Sequence, residues 1–153
     1  MNKYIVKLLL FSTILLLFIG CSKHISPNSS NLHMINSSSQ QIIVSVEGIG
    51  NNEGEAIYNG ELKMIKTLLF QGIPDTNYSL PLINESEENV MNNNPFYFER
   101  FYTDKYKNFI VSNQVLSNTK SKGVHVLRME IVVNTSALRR DLEQNNVIRK
   151  FGL

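Results

Sequence analysis

The chain is most constrained between Ile42 and Pro74, where a β-branched run, a glycine pair, a helical period and a Gly-Ile-Pro stop follow one another directly. Ile42 to Val46 is bounded by polar residues and predicts a strand. Gly48-Ile49-Gly50 ends it and reads as a turn needing positive φ. Asn51 or Asn52 then caps a helix from about Glu53 to Gln71, with Glu53 and Glu55 suited to the positive end of the helix dipole. At 100° per residue, Ala56, Ile57, Gly60, Met64, Ile65 and Leu68 share one broad face, which Tyr58, Leu62 and Leu69 extend. Glu55, Asn59, Lys63 and Lys66 form the solvated face. An apolar arc this wide implies cover on two sides. Gly60 costs about 1 kcal/mol against alanine in mid-helix, which close approach to a sheet would offset. Glu61 points into the apolar arc, where a lone acid more often marks a margin than a catalytic site. Gly72 ends the helix and Pro74 forbids its continuation.

Downstream, Asp75 to Asn94 reads as loop, with Leu80-Pro81-Leu82-Ile83 as a buried anchor. Glu85-Ser86-Glu87-Glu88 lacks the alternating ligands and the glycine of a calcium loop and reads as a solvated helix start. A short helix begins at Pro95, and Phe98, Phe101 and Tyr102 lie on one of its faces, suited to core packing or a partner groove. Phe109 to Leu116 and Val124 to Val133 predict two strands, joined through a polar hairpin loop over Ser117 to Gly123. Thr135 or Ser136 caps a last helix, Ala137 to Gln144, with Leu138 and Leu142 inward. Val147 to Leu153 is too apolar for a loose tail, so it either docks or presents itself to another protein. The fold class that follows is α+β: a small antiparallel sheet of about three or four strands packed against one long helix, with additional short helices.

The amino-terminal stretch concerns address rather than fold. Asn2 to Lys7 carries two lysines, Leu8 to Ile19 is nearly all apolar, and Gly20-Cys21 follows at once, the pattern of a secretory signal. Phe18-Ile19-Gly20-Cys21 resembles the lipobox of bacterial lipoproteins, with Phe18 where leucine is commoner. That resemblance implies cleavage before Cys21, diacylglycerol on its thiol and an acyl chain such as palmitate on the new amino terminus. Several acyl chains anchor stably, since each buried methylene contributes about 0.8 kcal/mol. Ser22 rather than aspartate follows the cysteine, which implies the outer membrane, facing the periplasm. Residues 1–20 are thus expected to be a signal peptide, residues 21–40 the lipidated start and a flexible Ser/Asn-rich tether, and residues 41–153 a single α+β domain.

Several chemistries lose support on residue type and spacing. Removal of Lys3 and Lys7 leaves 13 basic against 13 acidic residues, which gives no reason to expect nucleic acid. Cys21 is the only cysteine, so no disulfide forms within the chain. Gly48, Gly50 and Gly54 are spaced one residue too long for a dinucleotide fingerprint, and no cofactor is expected. His24 and His33 have no ligand partners at useful spacing, so no metal is expected. His125 sits in a strand without a Ser, Cys or acid at motif spacing, so no catalytic residue is assigned.

Val46-Glu47-Gly48-Ile49-Gly50, Glu55-Ala56, Leu69 to Pro74, Leu138-Arg139-Arg140-Asp141-Leu142 and Val147 to Gly152 together resemble a family of small Bacteroidetes lipoproteins. More distantly, the strand, Gly-x-Gly and helix followed by a late hairpin are similar to the amino-terminal domain of flagellar assembly protein T and to small Helicobacter outer-membrane lipoproteins. Gly60 and Met64 stand where such helices carry alanine. The resemblance implies an envelope-associated domain that acts by binding. The expected function is therefore a non-enzymatic, membrane-anchored lipoprotein that binds or scaffolds another envelope protein. The alternative is a small-ligand or lipid carrier with an apolar pocket between two helices and the sheet.

Overall fold

The computed structural model describes residues 32–150. The expected signal segment, Cys21 as the expected lipidation site, His24 and the last three residues lie outside the described residues. In chain order the elements are β1 (Leu32–Ser37), β2 (Gln41–Gly50), α1 (Glu53–Phe70), α2 (Glu87–Asn93), α3 (Pro95–Thr103), a 3₁₀ turn (Lys105–Phe109), β3 (Ile110–Ser121), β4 (Val124–Asn134) and α4 (Thr135–Gln144). The architecture is α+β, with one antiparallel sheet ordered β1-β2-β4-β3 and four α-helices among the described residues.

The sheet begins earlier than the sequence suggests. Leu32–Ser37 falls within the stretch read as tether, yet it pairs with β2 as an edge strand. Its middle is exposed, and a register shift between Met34 and Asn36 interrupts its alternation, so no period of two survives in the sequence. His33, in this strand, is exposed and faces Ser45 across the ladder.

β2 alternates strictly. Ile42, Val44 and Val46 are buried, while Ile43, Ser45, Glu47 and Ile49 are half-buried on the other face. The strand continues through Gly48 and Gly50, neither of which has positive φ. The reading of these glycines as a turn is therefore corrected. They are small because α1 lies against them: a Cβ on Gly48 would sit 2.0 Å from the Ala56 carbonyl oxygen, and one on Gly50 would sit 2.4 Å from the Ala56 nitrogen. Gly60 faces the same contact from the helix side, 3.2 Å from the Gly48 Cα for a built Cβ.

Capping fixes the ends of α1. The Asn52 side chain accepts from the Glu55 N–H at 2.9 Å, and the Glu55 carboxylate accepts from the Asn51 N–H at 2.9 Å. At the other end Gly72 takes φ +76°, and its N–H reaches the Thr67 carbonyl at 2.8 Å. Two of the carbonyls left over in the last turn are satisfied from outside. Leu82 N–H donates to Leu68 at 3.1 Å and Ile83 N–H to Leu69 at 2.9 Å. This docking buries Leu82 and Ile83, whereas Leu80 stays 78% exposed, so the expected anchor holds only in its second half.

The face of the sheet against α1 is lined by Ile42, Val44, Val46, Leu127, Met129, Ile131 and Val133, all fully buried. Phe98, Phe101 and Tyr106, also fully buried, complete the same core from α3 and the 3₁₀ turn. β3 and β4 turn through Lys122 and Gly123, both at positive φ, as a two-residue hairpin loop requires. The polar stretch from Ser117 is thus edge strand up to Ser121 rather than loop. Its residues are exposed and carry no apolar alternation. Asn134, not Thr135 or Ser136, caps α4, accepting from the Ala137 N–H at 2.9 Å. Thr135 is buried instead, with its hydroxyl 2.5 Å from that of Tyr78. Val147 is buried, so the tail docks at least through that residue.

The glycine contact generates a paired prediction. Gly48→Ala forces a methyl into backbone that cannot retreat, and should destabilise by about 3 kcal/mol or prevent folding. Gly54→Ala meets only the Asn52 side chain at 3.4 Å and should be neutral or stabilising by up to about 1 kcal/mol. Urea denaturation of the two variants checks the difference.

Candidate functional site

The apolar pocket expected between helices and sheet is occupied by protein. Met64, Phe98, Phe101 and Tyr106 have no exposed surface there, and Phe101 stacks on Phe109 with ring centres 6.0 Å apart. Openings lie elsewhere on the surface of the described residues. One, of about 780 Å³, is bordered by Leu82 to Glu85, Arg139 and Asn146 to Lys150. Another, of about 310 Å³, lies between α1 and the 3₁₀ turn and is lined by Gly54, Ile57, Tyr58, Glu61, Tyr106, Lys107 and Ile110.

The smaller recess is the better-built site because it contains Glu61. The carboxylate sits on the apolar arc of α1 and is held by two neutral donors: the Tyr106 hydroxyl at 3.1 Å to Oε2 and the Asn113 amide at 2.7 Å to Oε1. Asn113 reaches it because of a register shift in β3. The extra residue Val111 resets the phase of the strand, so Asn113 lies opposite Ile131 and faces the core side. Its own Oδ1 is shut off from solvent and has no hydrogen-bond partner among the described residues. Tyr106 is placed by the 3₁₀ turn, and its ring meets that of Tyr58 edge-on, 6.3 Å between centres. Sequence reading singled out Glu61 but missed Tyr106 and Asn113. The outlying acid on an apolar helix face was the signal present, and the bulge that recruits Asn113 leaves no pattern of its own.

A second polar cluster joins α3, the 3₁₀ turn and α4. Asp141 accepts from the Tyr97 hydroxyl at 2.8 Å and pairs with Lys105 at 2.7 Å, and Lys105 lies 4.9 Å from the centre of the Tyr97 ring. Every member is bound to another, which suits a clasp between elements. Across α1, Lys66 pairs with Glu87 at 2.5 Å beside the Tyr102 ring. The aromatic helix therefore spends Phe98 and Phe101 on the core and leaves Phe96, 82% exposed, as its outward aromatic.

His125 lies opposite Gly50 and Lys120 in the ladder, with Nδ1 3.2 Å from the Asn118 Oδ1. Among the described residues, no group of three or more His, Cys, Asp or Glu could hold a metal ion, and no helix is long and apolar enough to cross a membrane.

The tyrosines give the domain a defined alkaline limit. Burial, then the hydrogen bond to Asp141, raises the Tyr97 phenol well above its usual range. Burial, then the charges of Glu87 and Glu61, does the same for Tyr102 and Tyr106. The stability these groups contribute is complete below the unfolded value near 10 and is lost as pH rises past it, because the unfolded chain then releases protons that the folded one keeps. Burial lowers the Lys63 pKa against the pull of Glu47, which gives an opposing slope confined to pH below 10.5. The urea midpoint should thus fall steeply above pH 10. Tyr97→Phe, Tyr102→Phe and Tyr106→Phe should each reduce the slope by about one proton.

Comparison of the chain with family models, with curated proteins and with solved structures finds no match.

Proposed function

We propose that this chain is a non-enzymatic lipoprotein, held at the outer membrane on its periplasmic side by acylated Cys21, that binds or scaffolds another envelope protein. The observation that carries the reading is Phe18-Ile19-Gly20-Cys21 directly after a basic start and an apolar run. The resemblance to small Bacteroidetes lipoproteins supports it from the mature part of the chain. In this reading α1 is the one long helix on which the sheet is organised, and the domain is a rigid body displayed close to lipid. Even fully extended, the residues between Cys21 and Leu32 span at most about 40 Å. Phe96 is the contact residue we assign, since it is the aromatic of α3 that the core does not use.

A second reading, a small-ligand carrier, is favoured by one observation: the 310 Å³ recess lined by Glu61, whose carboxylate accepts from the Tyr106 hydroxyl. The carrier reading does not require a protein partner.

Crosslinking of the tagged protein in intact cells separates the two. A stoichiometric partner captured by the acylated protein, lost with Cys21→Ala and weakened by Phe96→Ser, is the expected result. Recovery of the bait alone would contradict the scaffold reading and leave the carrier.

A further inference from the structure

Glu61 is a partly buried carboxylate with no ion-pair partner among the described residues. Both groups that hold it, the Tyr106 hydroxyl and the Asn113 amide, are neutral. No described Lys, Arg or His is in ion-pair contact with it. Lys107 stands on the same rim, but its ammonium is directed to Asp104 at 3.7 Å and is largely solvated. Hydrogen bonds hold this carboxylate in place, and neither of its partners carries an opposite charge.

The recess around it selects by sign. Each carboxylate oxygen accepts one hydrogen bond within the protein and keeps a second lone pair. The Tyr106 hydroxyl is already committed to Glu61, so the inner wall offers acceptors rather than donors. Ile57 and Ile110 supply apolar walls, and Tyr58, 41% exposed, brings an aromatic ring to the mouth beside that of Tyr106. Aromatic faces attract cations through their quadrupole. A volume of about 310 Å³ suits a small molecule rather than a peptide segment.

We propose that this recess binds a small organic ammonium ion, with the cationic nitrogen at Glu61, the Tyr58 ring beside it and the carbon skeleton against Ile57 and Ile110. The proposal deepens the carrier reading and rests on it. Anions are repelled by Glu61, and a neutral isostere leaves the carboxylate uncompensated.

The test is calorimetric titration of the full-length protein in a non-ionic detergent with benzylammonium, using benzyl alcohol as the neutral isostere. Benzylammonium should bind, and benzyl alcohol should bind about tenfold more weakly or not at all. Glu61→Gln should cost about tenfold or more in benzylammonium affinity, and Lys107→Ala should strengthen binding by removing the cation on the rim. Tyr58→Leu, at an exposed position outside the core, keeps the test decisive if Glu61→Gln fails to fold: it should weaken benzylammonium binding by severalfold. Equal binding of the two probes overturns the ammonium assignment and leaves a carrier without charge selection. Binding of neither overturns the assignment and the carrier reading together.

Discussion

The backbone of α1 rests on the backbone of β2 at Gly48, Ala56 and Gly60, with no side chain between them. Close-packed interiors transmit small displacements, so this contact fixes more than two elements. The Met129 methyl lies where a Cβ of Gly60 would be, 2.1 Å away, and so β4 is positioned by the same gap in the helix surface. Core-facing residues of α1 grow from Ala56 and Gly60 to Met64, Leu68 and Leu69. It is beside this larger end that Phe70 meets Phe98, with ring centres 6.5 Å apart. The close end of the helix sets the sheet; the bulky end recruits the aromatic helix.

The recess at Glu61 follows from that arrangement. α1 presents Gly54, Ile57, Tyr58 and Glu61 along the edge that faces the 3₁₀ turn and the start of β3. Tyr106 closes the floor from the core side, where it is fully buried. A larger residue at Gly54 would change the lining without touching the core. Polar groups are therefore concentrated where packing is least demanding, and the carboxylate is held by neutral partners from two other elements.

Much of this was legible in the chain because burial imposes a period. The strand from Ile42, the helix from Glu53, its stop at Gly72 and the inward Leu138 and Leu142 all follow from spacing and capping chemistry. The close contact at Gly60 could be anticipated because glycine in mid-helix needs an offsetting reason. What escaped has physical causes. β1 and the far half of β3 are exposed edges, so neither bears a hydrophobic period. Gly48 and Gly50 looked like a turn because glycine serves both positive φ and close approach, and sequence alone does not separate the two. Asn113 joined Glu61 only through a bulge, which shifts a strand's phase by one residue and leaves its composition unchanged.

The lipid anchor proposed for this domain turns on one atom, the Cys21 sulfur, and mass spectrometry of the amino-terminal peptide from membrane-extracted protein tests it most directly. The account predicts a chain that begins at Cys21, with diacylglycerol in thioether linkage and an acylated amino group. A chain that retains the apolar run, or one cut near Cys21 with an unmodified thiol, would contradict it.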